Sequence, residues 1–414
     1  MSKWEWKKLG EVCSVKCGAT PLKSDKSFWE RGTVPWFTVD DIHEQGRVIN
    51  STKKAVTEKA LKKLTLFPKK TVLLCCTASV GEYAISNIEV TCNQQFNGLI
   101  VRDKNYLDPN YLFHFASTLK EKLLSVSGKT TIDFISNSKV CDIDIPIPPL
   151  SEQKRIVKFL DEEFSKIETL KTNAETNLKN AKELFETTLE KELNPLSRHS
   201  ERSEESSAEL PSGWELKALG DVCYRIKRGK APKYVEQSDV LVFAQKCNQP
   251  DGTMSLEKAL CLDPSILGKY KAEDYVKEGD VLVNSTGNGT VGRVGFFNNK
   301  LLNNKKTVVP DTHITTIRGL ANTFPKYLYY FLKPKESYLS DKSLGTTNMK
   351  ELHADVLEHL QIPLPPLSVQ KEIVARLDKL SENVKRLEAN YKQIIADCDE
   401  LKKSILKKTF EGES

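Results

Sequence analysis

Near its C-terminus the chain places apolar residues at alternating steps of four and three: Ile373, Leu377, Leu380, Val384, Leu387, Tyr391, Ile394, Cys398, Leu401 and Ile405. That spacing is a heptad seam and predicts a long helix whose stripe needs a partner helix. A looser stripe runs through Ile156, Leu160, Ile167, Leu170, Ala174, Leu178, Ala181, Phe185 and Leu189, with small residues at 174 and 181 that permit close approach. Each stripe follows Pro-Pro-Leu-Ser, which predicts N-caps at Ser151 and Ser368 because proline cannot continue a helix backwards. A helix of about 42 residues is roughly 60 Å long, and a single seam cannot bury itself. Antiparallel pairing of the two stripes solves the problem.

Elsewhere the pattern is shorter. Runs such as "TVLLCC" and "DVLVNS" read as strands, whereas "PNYLFHFASTLKEKLL" and "PKYLYYFL" read as helices. Two globular segments therefore have mixed α/β character, strand-rich in the middle. Between them "NPLSRHSERSEESSAELPSG" is Ser-rich, charged and almost free of large apolar residues, the composition of a flexible linker.

The chain is written twice. "IPIPPLSEQKRIVKFLD" from 145 returns as "IPLPPLSVQKEIVARLD" from 362, identical at 12 of 17 positions. "WEWKKLGEVC" from 4 returns as "WELKALGDVC" from 214, identical at 7 of 10. "YLFHF" at 111 answers "YLYYF" at 327, and "SGKTTI" at 127 answers "LGTTNM" at 344. A period of about 210 residues exceeds any solenoid or propeller repeat, so whole domains are duplicated. The anchors are alike and the middles differ.

One stretch of a middle, Gly287-Asn288-Gly289-Thr290-Val291-Gly292, fits the dinucleotide fingerprint G-x-G-x-x-G behind a strand-like run. The fingerprint requires a helix to begin at the loop and hold the pyrophosphate. "VGRVGFFNNK" follows instead, with hairpin composition, and the first copy's "TVLLCCTASVGEYAISN" lacks most of the glycines. The glycines are expected to shape a tight turn with the small polar residues Asn284, Ser285, Thr286 and Asn288 exposed at its tip.

Composition narrows the class further. No apolar h-region or membrane-length apolar run is present, which predicts a cytoplasmic protein. Ten cysteines without a C-x-x-C pair predict free thiols and no metal. The net charge of +6 is uneven: residues 1–150 carry +5 and 212–367 carry +4, against −4 for 151–211 and +1 for 368–414. Two basic segments fit two polyanion contacts. "SGKTT" lacks the glycine of a P-loop, the six histidines show no metal-ligand spacing, and the N/D-P-P-aromatic tetrapeptide of amino-group DNA methyltransferases is absent. No catalytic residue is predicted.

Candidate DNA contacts, chosen as basic or amide residues near turns, are Lys53, Lys54 and Arg102 in the first segment. In the second they are Arg225, Lys227, Arg228, Lys230, Gln245, Lys246, Asn248, Asn284, Ser285, Asn288, Arg293, Lys305 and Lys306. Lys and Arg position a duplex through phosphates, while Asn, Gln and Arg can read base edges. Trp36 is expected in the core.

With these motifs the chain resembles the specificity (S) subunit of type I restriction–modification systems. The resemblance is carried by the opening "W-E-x-K-x-L-G-[DE]-V-C", by "VPWFTVDDI" at 34, and by "GDVLVNSTG…VGRVGFF" with "VVPDTHITTIR". Above all it is carried by the twin "IP-x-PPLS-x-QK-x-IV-x-x-LD". The resemblance implies a mixed α/β (α+β) fold with a pseudo-twofold internal repeat, in which two globular target-recognition domains are separated by two long antiparallel helices forming a coiled-coil spacer. The implied segments are recognition domain 1 (1–150), spacer helix 1 (151–193), linker (194–211), recognition domain 2 (212–367) and spacer helix 2 (368–410). Spacer packing is expected from Ile156, Leu160, Ile167, Leu170, Leu377, Leu380, Val384, Leu387, Tyr391, Ile394, Leu401 and Ile405. Each domain would read one half of an asymmetric bipartite target in double-stranded DNA. Two modification (methyltransferase) subunits would dock on the helical regions and bring adenine-N6 methylation; restriction subunits would supply an ATP-dependent motor and nuclease. S-adenosylmethionine, ATP and Mg would then sit on partner subunits, and this non-catalytic chain would bind no cofactor. Two alternatives stay open: a non-DNA coiled-coil scaffold protein, and a silent or recombining specificity gene without an active partner.

Overall fold

The computed structural model describes residues 4–126, 135–194, 210–250, 252–302, 307–346 and 349–411. The chain folds as two compact units, Met1–Thr176 with Tyr391–Ser414, and Asn177–Asn390. Each therefore contains one head, the start of the long helix that follows it and the end of the other long helix. Most of the linker, and "SGKTT", lie outside the described residues.

In the first head Glu5–Lys8 pairs antiparallel with Asp144–Ile147, which explains why the two repeated anchors are alike: they are neighbours in space. A five-stranded sheet runs in the order Cys13–Cys17, Phe96–Val101, Val72–Cys75, Tyr83–Ser86, Val48–Ile49. A second sheet orders Lys54–Val56, Val34–Phe37 and Thr91–Cys92. Val72–Cys75 is buried at every position. Val72 and Leu74 join a core with Tyr111, Phe115 and Leu160, while Leu73 and Cys75 join a second core with Phe37, Phe67 and Phe96. Alternate side chains thus fill two layers, and the strand reads as a continuous apolar run.

The second head repeats this plan. Glu215–Ala218 pairs with Gln361–Leu364. One sheet orders Cys223–Arg228, Ile314–Gly319, Val281–Asn284 and Val294–Phe296; the other orders Tyr234–Val235, Leu260–Leu262, Val240–Phe243 and Thr307–Pro310. Pro325–Leu332 is an expected helix, whereas the helix expected over 109–124 is broken after Ala116 and resumes as Leu119–Val126. Pro109 and Pro325 each begin a helix, where the missing N–H costs nothing.

The long helices run Leu150–Leu193 and Leu367–Glu411. Their starts precede the expected Ser151 and Ser368 caps: the Pro149 carbonyl already accepts from Gln153 N at 3.0 Å, as the Pro366 carbonyl does from Gln370 N. Within the first unit the helix segments lie antiparallel, tied by Lys171 to Asp399 (2.8 Å) and Lys402 to Glu168 (2.7 Å). In the second unit Arg376 meets Glu192 at 2.7 Å, and Leu189 and Leu193 share a core with Ile373 and Leu377.

The seam itself differs from the apolar stripe. Ile156, Leu160, Ile167, Leu377 and Val384 are buried, and Leu380, Tyr391 and Ile405 are half-buried. Leu170, Leu387, Ile394 and Leu401 are exposed instead. The second helix presents Ser381, Glu388, Ile395 and Lys402 in their place, all half-buried. Lys402 shows why. Its ammonium sits 5.9 Å from the Phe164 ring centroid and reaches Glu168, so a long amphipathic side chain occupies this half-buried position of the seam.

Candidate nucleic-acid interface

The glycine motif forms the hairpin its composition implied. Val281–Asn284 and Val294–Phe296 pair antiparallel, and Gly287, Gly289 and Gly292 all take positive φ in the connection. No helix follows, so the requirement for a pyrophosphate site is unmet. Gly292 is also packed tightly: an added Cβ would lie 2.7 Å from the Glu336 carbonyl and 2.9 Å from Ser340 N.

The Asp311–His313 turn stands beside this hairpin. Asp311 N donates to the Phe243 carbonyl (3.0 Å), Gly229 N to the Ile314 carbonyl (3.0 Å) and Ser285 N to the His313 carbonyl (2.7 Å). Asp311 Oδ1 accepts from His313 N at 2.8 Å. Burial pushes the Asp311 carboxyl above its ordinary range, against the pull of that N–H and of the His313 ring. The turn is pinned from the ends of three strands.

The same frame recurs in the first head around Asn93–Gln95. Asn93 N donates to the Phe37 carbonyl (3.2 Å), Gly18 N to the Phe96 carbonyl (2.9 Å) and Cys76 N to the Gln95 carbonyl (2.8 Å). Asn93 Oδ1 accepts from Gln95 N at 3.0 Å. Two segments with little sequence in common thus carry one backbone scaffold.

Most of the sequence-chosen contacts of the second head are spent on this scaffold. Asn248, Asn284 and Ser285 are buried; Asn248 Nδ2 donates to Asn284 Oδ1 (2.8 Å), and Ser285 bonds Thr315. Arg225 is buried against Asp274 at 3.0 Å. These four are turned into the fold and hold the loops, although Arg225 Nε and Asn248 Oδ1 have no hydrogen-bond partner among the described residues. Lys230 also reaches Asp274 (2.6 Å). Burial alone would raise the Asp274 carboxyl, but bonds from Lys230, the Lys271 N–H and Arg225 outweigh it and hold the group at about 2. Arg228 pairs with Glu351 (2.6 Å), Arg293 donates to the Asn248 carbonyl (2.7 Å) and Gln245 donates to Thr286 (2.6 Å to Oγ1).

Lys227, Lys246 and Asn288 are exposed. In the first head Lys54 is exposed, Lys53 is exposed but paired with Glu44 (2.7 Å), and Arg102 donates to the Cys13 carbonyl (3.2 Å). Lys305 and Lys306 lie outside the described residues. Trp36 is in the core as expected, edge-on to Trp29. The cysteines are free thiols, and no cluster with metal-ligand chemistry occurs among the described residues. No described helix is long and apolar enough to cross a membrane.

Sequence reading missed the two turn tips, Gln94-Gln95 and Thr312-His313. Their only shared signal is an Asx residue before them, which is too weak to align. It also missed what the motif glutamines do. Gln153 Nε2 donates to the Tyr106 and Pro148 carbonyls (2.9 and 2.8 Å) while its Oε1 accepts from Asp108 N (2.8 Å). Gln370 does the same with Asn322, Pro365 and Phe324 N. Each glutamine clamps its head to the helix leaving it.

Known proteins match along the whole length. The family model described as the type I restriction modification DNA specificity domain matches residues 1–180 and again 211–396. The chain is 27% identical over 425 residues to the type I restriction enzyme MjaIX specificity subunit of Methanocaldococcus jannaschii, covering 99% of this chain and 93% of that one. It is 32% identical over 167 residues to the EcoprrI specificity subunit of Escherichia coli, over 38% of this chain and 41% of that one. In fold it is similar to the HsdS subunit of Thermoanaerobacter tengcongensis, with TM-score 0.61 and 22% identity over 100% of this chain and 98% of that one. A chain from a structure on complex assembly and conformational transition of the type I R-M system gives TM-score 0.77 at 23% identity, covering 99% and 97%. The chain therefore belongs to the family of type I restriction–modification DNA specificity proteins, and it carries the specificity domain twice.

Proposed function

We propose that the chain is the DNA-recognition subunit of a type I restriction–modification complex and that each head reads one half of an asymmetric bipartite target. One observation carries this reading: two heads share a backbone scaffold and end it in different side chains. The shared frame fits a shared partner, and the different tips fit different half-sites. The basic excess of each head suits phosphate contact, which would make binding fall steeply with salt. The helices would set the gap between half-sites. Modification subunits would dock on the helical regions; the outward Leu387, Ile394 and Leu401, apolar yet unused by the seam, support that. Methyl transfer from S-adenosylmethionine, and ATP- and Mg-dependent translocation and cleavage, would belong to those partners.

The test is a genome-wide map of N6-methyladenine in the host with and without this gene. Loss of methylation at one bipartite motif with a nonspecific centre is expected. A methylome unchanged by deletion, and unchanged again when the gene is expressed with its modification subunit, would contradict the reading.

A further inference from the structure

The scaffold common to the heads leaves little of their loop ends free to read a base. Asn248, Asn284, Ser285 and Arg225 are buried and bonded inward. What differs between the heads, on an otherwise equal frame, is the pair of residues after the Asx of the pinned turn. Gln94 and His313 are exposed, and Gln95 and Thr312 are half-buried.

The hydrogen-bonding groups of three of them, Gln94, Gln95 and His313, are held from within. In the first head Thr20 Oγ1 donates to Gln94 Oε1, and Asn93 Nδ2 donates to Gln95 Oε1 at 2.8 Å. Both amide oxygens are occupied, and neither amide nitrogen has a partner among the described residues. In the second head Gln245 Nε2 donates to Thr286 Oγ1 at 2.6 Å, and the threonine hydroxyl lies 2.6 Å from His313 Nδ1, which holds the ring in place. Its Nε2 has no partner among the described residues, and it is a donor whenever Nδ1 accepts from the Thr286 hydroxyl. Each turn is thus a rigid platform that points donors outward, the preorganisation a specific contact requires.

We propose that Gln94 and Gln95 in the first head, and His313 in the second, are base-reading side chains that offer hydrogen-bond donors to acceptor atoms on the base edges of their half-sites. This rests on the recognition reading above. The acceptors of that chemistry are purine N7, guanine O6 and thymine O4 in the major groove. The orienting residues Thr20, Asn93, Gln245 and Thr286 act through the tips and are positioning residues.

The experiment uses the chain assembled with its modification subunits and a duplex library randomised in both half-sites. Wild-type protein is compared with the double variant Gln94→Glu, Gln95→Glu, which exchanges donors for acceptors, and with His313→Ala. In the first, preference at one or two positions of one half-site should fall on the order of 5- to 150-fold and move towards cytosine or adenine amino groups. The other half-site should keep its profile, which also shows that the complex is assembled. His313→Ala should do the reverse. Should the double variant not assemble, single Gln94→Ala and Gln95→Ala changes, which leave the backbone frame intact, are read in the same way. Wild-type profiles in every variant, or both half-sites changing together, would overturn the inference alone. A wild-type complex selecting no bipartite sequence would overturn the recognition reading and this inference with it.

Discussion

Asp161 and Asp378 hold the same place in the two copies of the helix-entry motif and bind different partners. Asp161 meets His114 Nε2 at 2.8 Å, whereas Asp378 accepts from Tyr330 Oη (2.6 Å) and Lys326 Nζ (2.7 Å). Burial lowers the His114 pKa below its ordinary 6.5, and the Asp161 carboxylate only partly offsets it. The folded state therefore holds the neutral ring, while the unfolded chain takes up a proton below about pH 6.5. His114's contribution is complete above that pH and is lost as pH falls through it towards the lower native value. Unfolding of wild type and of His114→Tyr, followed between about pH 8 and 5, should show a steeper loss in wild type; parallel profiles would contradict this. At this scale the sequence told which residues are repeated but not their task. Gln153 and Gln370 are visible twins, yet their clamping role depends on carbonyls at 106 and 322 that no local pattern connects to them.

Among the elements, the hairpin was legible because its signal is local. Gly287, Gly289 and Gly292 each carry the positive φ that composition suggested, and they are not equivalent. Open space surrounds a Cβ at Gly289, so Gly289→Ala should cost only the left-handed backbone penalty, about 1–2 kcal/mol. Gly292→Ala adds a clash with the backbone of Glu336 and Ser340 and should cost more than that, as denaturant midpoints would show. The long helices were legible in existence and extent, and the stripe was misread only at Leu170 in the first helix and at Leu387, Ile394 and Leu401 in the second. Apolar spacing picked out Ile394 and Leu401, but Ile395 and Lys402 are the half-buried residues there. Leu160→Ala should therefore cost about 2–5 kcal/mol, whereas Ile394→Ala or Leu401→Ala should cost less than about 1 kcal/mol. Equal losses at Leu160 and Leu401 would refute the assigned seam.

For the whole molecule the duplication was legible from its anchors, and the likeness of the middles was not. "TCNQQF" and "VPDTHI" share almost nothing, yet both close the same turn with the same backbone bonds. Strand pairing and main-chain bonds constrain such a loop, and they leave its outward side chains free to diverge. That freedom is what two independent readers on one scaffold need. The most direct test replaces residues 20–130 with those of a relative of different specificity, and maps methyladenine made by the chain with its modification subunits. One half-site should change, with the other half-site unaltered. If both half-sites change together, or neither does, the heads are not independent readers.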